Sequence, residues 1–341
     1  MGKIRVGVVF GGRSGEHEVS VRSAASIYRA LDKNKYEVEL LGVDKNGRWR
    51  LVNSRWLLAD SSMKALPNGD KSLVFQETKL DVIFPIIHGT YGEDGSLQGL
   101  LELMDVAYVG AGVLGSAVGM DKDVQKRLLM QAGIPVANFQ VIKDIKMTKK
   151  LRLKYPVFVK PVNMGSSVGV TKVNEEIKLI KAIKDAFRYD TKVIVEEEVE
   201  GREIEVSVLG NDNPVASVPG EVITRGHEFY DYGAKYIDEN GAELKIPARL
   251  TKKQVSGIQK LAIRAFKVLE CSGMARADMF MRPNGELVIN EINTLPGFTS
   301  ISMYPKLWEA SGLPYSKLLD KLISLAVEKK RQKDRLKRSY S

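Results

Sequence analysis

The sequence predicts an open α/β domain followed by two α+β domains, and three observations carry the prediction. The first third holds two units of buried strand, glycine-containing loop and amphipathic helix. The middle alternates short apolar strands with one helical pattern. The last third sets a hairpin, MARADMFMRPNGELVINEIN, between helices. At 341 residues the chain has room for two or three domains with substantial cores.

In the first unit RVGVVF reads as a buried strand, GGRSGEHEVS as a loop, and a helix begins at about Ser20, which would cap it. Val21, Ala24, Ala25, Tyr28 and Leu31 supply its apolar stripe. VIFPII, HGTYGEDGS and a helix carrying Leu97, Leu100, Leu101 and Met104 repeat the pattern. Two such units imply parallel strands with both loops at the carboxyl edge, where open α/β sheets bind ligands. Neither loop is G-x-G-x-x-G, so the dinucleotide fingerprint is missing. VAYVGAG starts a connection, a helix near 122–132 stops at Gly133 and Pro135, and the first boundary falls near 121. Beyond it YPVFVKP, GVTKV, KVIVEEEV and EIEVSVLG read as strands of an antiparallel α+β layer, with a helix over 175–188. A third region from about 212 holds the loop GHEFYDYGAKYIDENG, a helix over 251–270, the hairpin, and closing helices from about 305. The domains expected are therefore 1–121, 122–211 and 212–341.

Composition narrows the function classes. With 44% hydrophobic and 28% charged residues the chain is an ordinary globular one. No apolar stretch nears the ~18 residues needed to span a bilayer. The opening MGKIRVGVVFGG enters a strand directly, without a signal-peptide cleavage pattern. Cys271 is the single cysteine, so no internal disulfide or Cys-based zinc site forms, and KVLECSGMA reads as a buried helix end. Half of the net charge of +10 lies in EKKRQKDRLKRSYS, with seven Lys/Arg against two acids. No aromatics interleave with these charges, so the tail reads as a solvated, frayed helix end. A cytoplasmic protein without nucleic-acid or membrane partners is expected.

The hairpin holds the densest chemistry. A loop of two or four residues around Asn284–Gly285 would put Asp278 opposite Glu291 and Arg276 opposite Asn293, all on one face. Two carboxylates and an amide are the oxygen donors Mg²⁺ prefers, and the guanidinium suits an anionic substrate. Pro-Asn-Gly equally suits a three-residue loop with a glycine bulge, which would slip the register and turn Glu291 away. Lys160 ends YPVFVKP just before NMGSSVG, and an ammonium beside a Gly/Ser loop can grip phosphates, although no P-loop is present. VIVEEEVEGREIEV puts acids where a domain connection could read an adenine edge and hold ribose hydroxyls; Glu198 and Glu200 read as solvated charge. Glu16 in the first glycine loop could hold a substrate ammonium, and His88 occupies the matching edge of the second unit. His17, His88 and His227 lack metal-ligand spacing, and no G-x-S-x-G elbow exists.

A strand-end lysine before a GSSVG loop, a hinge of EEEVEGRE type, and RAD…NEIN on a hairpin resemble the ATP-grasp fold. Within it GEHEVS, HGTYGEDGSLQGLLEL, MDK, KPVNMGSSVGV, FYDYGAKY and NEINTLPGFTSIS resemble the D-alanine–D-alanine ligase family, in the family's order over roughly residues 4–325. The resemblance implies a three-domain ATP-grasp fold, with an N-terminal open parallel sheet of Rossmann-like kind and two α+β domains enclosing the nucleotide. It implies ATP-dependent joining of two D-alanines through an acyl phosphate, for peptidoglycan precursor synthesis, by a homodimer.

Residue by residue, the resemblance makes Asp278, Glu291 and Asn293 the ligands of two Mg²⁺ ions, with Mn²⁺ as a substitute and Glu291 bridging. Lys122 and Lys160 would contact ATP phosphates or the adenine side. Glu196, the backbone at Glu197 and Val199, and Glu203 would take adenine and ribose, with Phe229 and Phe280 in the same site. Arg276 and the Gly297 amide would form the oxyanion hole. Glu16 would anchor the first ammonium near His88, while Ser302, Lys235 and the Met303 backbone would bind the second carboxylate. Ser166 and Tyr236 would hydrogen-bond with Glu16 on loop closure, shielding the acyl phosphate from water. The resemblance also favours convergence of Asp278 and Glu291, so PNG is expected not to slip the pairing between them. Glu197 departs from the lysine often found in the family, 44–80 is longer than in compact members, and the tail lies beyond the shared core. Tyr236 favours an amine acceptor over D-lactate. A dehydrogenase on the first sheet and a nucleic-acid binder resting on the tail are the other classes.

Overall fold

The computed structural model describes residues 2–59, 65, 66, 79–226, 238 and 241–337. The first sheet has the order β3-β2-β1-β4-β5, with β1 (Ile4–Gly11), β2 (Tyr36–Val43), β3 (Trp49–Leu51), β4 (Val82–Pro85) and β5 (Ala107–Tyr108). β1 runs parallel to β2 and β4, and β4 to β5, while β3 is antiparallel to β2. Val8 and Val9 are both buried, in cores on opposite faces, as a central parallel strand requires. α1 (His17–Ala30) begins before Ser20, which is not its cap. Ser20 is buried instead: its Oγ accepts from the Gly11 N–H (2.8 Å) and donates to the Ile86 carbonyl (2.5 Å), stapling two strand ends. A hydroxyl with two buried backbone partners is held more firmly there than at an exposed cap.

α2 (Ser54–Leu58) follows β3, and α3 (Ser96–Leu103) buries Leu97 and Leu101 but leaves Leu100 exposed. α4 (Val113–Met120) fills what the sequence presented as a connection. Asp121 then caps α5 (Lys122–Gln131) by accepting from the Val124 N–H (2.9 Å), and Gly133 leaves the helix at φ +67°.

The second sheet is antiparallel throughout, ordered β6-β9-β7-β8 from β6 (Phe139–Ile142), β7 (Val157–Pro161), β8 (Thr171–Val173) and β9 (Val193–Glu197). α6 (Glu176–Ala186) covers it through Leu179, Ala182 and Ile183. The third sheet follows the path β13-β12-β10-β14-β15, with β11 on β10. Its strands are β10 (Arg202–Gly210), β11 (Val215–Ala216), β12 (Gly220–Thr224), β13 (Ala242–Lys245), β14 (Gly273–Met281) and β15 (Leu287–Asn293). EIEVSVLG is thus a strand of this sheet, paired with β14, and not of the layer its neighbours in sequence form. Alternation predicts a strand but not which sheet completes it.

α7 (Lys252–Val268) starts with a Thr251/Gln254 capping box and packs on the third sheet. α8 (Met303–Ala310) and α9 (Tyr315–Asp334) close the chain, and Leu318, Leu319 and Leu322 share one core with Val6, Val8 and Phe84. Three lysines dock the start of the basic tail, which corrects the frayed reading there, while residues 334–337 are exposed beyond or at the helix end, as a solvated end would be. Lys329 donates to Ser272 Oγ (2.5 Å), Lys330 meets Asp105 (3.2 Å), and Lys333 pairs with Glu102.

The hairpin resolves its register in two steps. Arg282 N–H donates to the Glu286 carbonyl (2.9 Å) and Gly285 takes φ +85°, so the three-residue loop forms and pairs Met281 with Leu287. A second irregularity between Asp278 and Met279 leaves Asn290 as an extra residue. The two displacements cancel, and Asp278 still faces Glu291 while Arg276 faces Asn293. The expected pairing holds, although the loop beyond it does slip.

Candidate functional site

A cleft of about 560 Å³ lies between the second and third sheets and meets a smaller cavity at the carboxyl edge of the first. Lys122, Ser166 and Glu291 line both. The cleft's apolar end is made by Ala137, Val199, Phe280 and Val288, with Glu203 paired opposite Phe280. An apolar slot with polar rims suits a flat heteroaromatic ligand.

Glu196 reaches into this cleft from β9. Its Oε2 accepts from Lys160 Nζ at 2.9 Å, and its Oε1 lies 3.3 Å from Lys126 Nζ. Burial pushes the Glu196 carboxyl up, but Lys126 and Lys160 outweigh it and hold it below the usual range. Burial likewise disfavours the Lys160 ammonium, and Glu196 more than restores it. The Glu197 carboxylate turns to Asn138 Nδ2 (3.0 Å) and the Lys154 N–H (2.9 Å). Glu198, read as solvated, pairs with Lys172 at 2.8 Å, because β8 brings that lysine alongside.

Where the cavities join, Arg276 is gripped by Asp278 through two bonds (2.7 and 2.6 Å) and by Glu205 at 2.9 Å. Burial opposes its charge, but these carboxylates hold the guanidinium well above its ordinary value. Glu291 lies 3.5 Å from Lys122, whose Nζ also donates to the Met164 carbonyl (2.8 Å) in the Gly/Ser loop. Asn293 Oδ1 accepts from the Leu295 N–H (2.9 Å). Among the described residues no three His, Cys, Asp or Glu side chains close on one point. Asp278, Glu291 and Asn293 nevertheless share one strand face, and their hard oxygen donors beside two cations fit Mg²⁺ chemically.

In the smaller cavity Glu16 occupies the N-cap position of α1, and Ser166 donates its hydroxyl to Glu16 Oε1. Ser166 and Ser167 take φ +50° and +60°, and a Cβ on Gly165 would sit 2.7 Å from Glu16 Oε2. The loop is thus pressed against Glu16. His88 Nε2 is 3.1 Å from Ser23 Oγ, and its Nδ1 is 3.5 Å from Glu93 Oε1. Gly297, Ser302 and Met303 line the same cavity, and Ser302 Oγ accepts from the Thr299 N–H (2.9 Å). Phe229, Lys235 and Tyr236, like His227, lie outside the described residues.

Three residues at the site escaped the sequence reading. Lys126 stands one helical turn after Lys122 on α5, a spacing that puts both on one face. Glu205 follows Glu203 by two on β10, and Glu93 sits in the second glycine loop. Burial, reinforced by Glu291, pushes the Glu93 carboxyl up to about 8.

Family models described as the N-terminus and the C-terminus of D-ala D-ala ligase match residues 5–111 and 128–324. The D-alanine–D-alanine ligase of Oceanobacillus iheyensis is 50% identical over 364 aligned positions, covering 99% of each chain. The solved structure of the D-alanine–D-alanine ligase from Coxiella burnetii superposes with a TM-score of 0.83 at 40% identity, covering 97% of this chain and 96% of that one. A D-Ala:D-Ser ligase from Enterococcus faecalis also gives 0.83, at 37% identity, covering 95% and 100%.

Proposed function

The chain belongs to the D-alanine–D-alanine ligase family, and from that premise we propose that it joins two D-alanines with ATP, releasing ADP and phosphate. The observation that carries the reading is the junction itself: Glu291 lines both the cleft suited to a nucleobase and the cavity holding Glu16, Arg276 and Ser302.

The Glu196–Val199 edge, Glu203, Phe280 and Phe229 would hold adenine and ribose. Lys160 and Lys122 would face the phosphates. Asp278, Glu291 and Asn293 would hold magnesium, which we take to be two ions with manganese able to substitute; bound metal would neutralise the anionic oxygens during phosphoryl transfer. Glu16, with His88 nearby, would anchor the first D-alanine's ammonium. That substrate's carboxylate oxygen attacks the γ-phosphoryl group and ADP leaves. Arg276 and the Gly297 amide would stabilise the oxyanion that forms when the second amine attacks the acyl carbon and phosphate departs. Ser302, Lys235 and the Met303 backbone would fix the second carboxylate. Ser166, already on Glu16, and Tyr236 would keep the loop shut against water.

The acceptor is the finer question, since the fold matches a D-Ala:D-Ser ligase equally closely. Tyr236 supports an amine over D-lactate. A cytoplasmic homodimer serving peptidoglycan precursors completes the proposal, with units at 1–121, 122–211 and 212–341 except that β10 (Arg202–Gly210) packs in the sheet of the third unit. No helix among the described residues is long and apolar enough to cross a membrane.

The test is ADP release that depends on D-alanine and Mg²⁺, with the product identified by mass. D-alanyl-D-alanine is expected, and Asp278→Ala should abolish it. Absence of D-alanine-dependent turnover, or full turnover in that variant, would overturn the reading; an ester with D-lactate or a mixed D-alanyl-D-serine product would reassign the acceptor.

A further inference from the structure

β15 ends the third sheet, and apart from a single bridge between Val136 and Ile289 its outer edge meets no strand among the described residues. Backbone groups on such an edge still need partners. α5 supplies them with side chains. Gln125 Oε1 accepts from the Ile292 N–H (2.9 Å), and its Nε2 donates to the Ile292 carbonyl (3.2 Å). Lys126 Nζ donates to the Asn290 carbonyl at 3.0 Å. Asn290 is the extra residue that returns Glu291 to its place opposite Asp278. The same ammonium lies 3.3 Å from Glu196, an ion pair that reaches the nucleobase end of the cleft. Lys126 is only 1% exposed; burial disfavours its ammonium, and Glu196 is the chief group that opposes this.

We infer that Lys126 is a positioning residue that couples the nucleobase pocket to the metal-binding strand, by holding the Glu196 carboxylate and the Asn290 bulge with one ammonium. The inference rests on the reading that the cleft binds an adenine nucleotide with Mg²⁺. It gives one side chain a grip on both ends of the nucleotide site. Lys122 and Lys160 line the cleft directly, whereas Lys126 acts through the groups it holds.

Calorimetric titration of the full chain with ADP, with and without Mg²⁺, tests this without requiring turnover. A wild-type protein that binds ADP but ignores D-alanine would sink the ligase reading and leave the coupling to be judged on binding. Lys126→Met, which removes both contacts, should weaken ADP binding with Mg²⁺ by roughly tenfold to a hundredfold and erase most of the Mg²⁺ enhancement. Lys126→Gln keeps a donor for the Asn290 carbonyl but offers Glu196 no charge. It should weaken ADP binding and keep most of the enhancement. Wild-type ADP affinity in either variant overturns the proposal, as does equal loss of enhancement in both. Should Lys126→Met not fold, the glutamine variant decides alone, and unchanged ADP affinity there is the refuting result.

Discussion

Asp278 faces Glu291 across the hairpin because a three-residue loop displaces the strands by one residue and the Asn290 bulge displaces them back. The pair is kept by compensation, not by a regular ladder, and Arg276 sits beside it as the counter-charge.

That counter-charge gives the first prediction. Arg276→Leu leaves Asp278 and Glu205 buried together without the guanidinium that both contact. Removing one partner of a buried ion pair costs about 3–5 kcal/mol, so urea unfolding should show a loss of that order. Ligation should also vanish. A loss below about 1 kcal/mol, the range of exposed pairs, would mean that the three groups do not depend on one another.

Glu93 predicts a pH dependence of stability. Burial pushes its carboxyl from the ordinary 4.5 up to about 8, and burial pushes the neighbouring His88 imidazole down, so both stay neutral near pH 7. The folded chain then holds a proton that the unfolded chain has lost. This contribution is complete below 4.5 and fades as pH rises toward about 8. His88, pushed down, acts in the opposite sense below 6.5, so the test is the difference: in metal-free buffer the melting temperature of Glu93→Gln should gain on that of the parent as pH rises from 4.5 toward about 8. An unchanged slope in the variant would refute the assignment.

Ser166 predicts a kinetic effect. A hydrogen bond to a charged acceptor contributes about 1.5–3 kcal/mol, so Ser166→Ala should lower kcat/KM for D-alanine by about tenfold to a hundredfold. Ser166→Gly should lose as much activity yet be no less stable, since φ there is +50°. Steady-state rates near wild type in both would show that the bond to Glu16 is incidental.

Gly297 predicts a steric effect. A Cβ there would lie 2.7 Å from Ser302 Oγ, forcing that hydroxyl to move. Gly297→Ala should raise the D-alanine KM by about tenfold or more, as small misplacements at reacting centres do. Circular dichroism should match wild type. An unaltered KM would detach Ser302 from the substrate.

Cys271 predicts inertness. It is buried, and burial pushes its thiol up to about 12. Ellman's reagent at pH 8 should leave the native chain unlabelled and titrate one thiol in guanidinium. Rapid native labelling would contradict the packing around it.

Much of this protein was legible because its signals are local. Period-two alternation put Arg276 with Asp278 and Glu291 with Asn293, each pair on one face of its own strand, and the strand–loop–helix units announced the parallel sheet that presents Glu16 and His88 at its carboxyl edge. The family's motifs supplied roles that spacing alone left open. What the tertiary structure decided depends on partners far apart in the chain. Gln125 meets Ile292 across 167 residues and Lys126 meets Asn290 across 164, so neither the bulge nor the burial of that lysine can be read from a short window. β10 joins the third sheet for the same reason, because β14 completes its ladder from more than 60 positions later. Glu93 becomes a high-pKa carboxyl, and Lys329, Lys330 and Lys333 dock, only because folded neighbours exclude water or supply partners. Hydrophobic period depends on adjacent residues, whereas desolvation and edge satisfaction exist only once distant segments pack together.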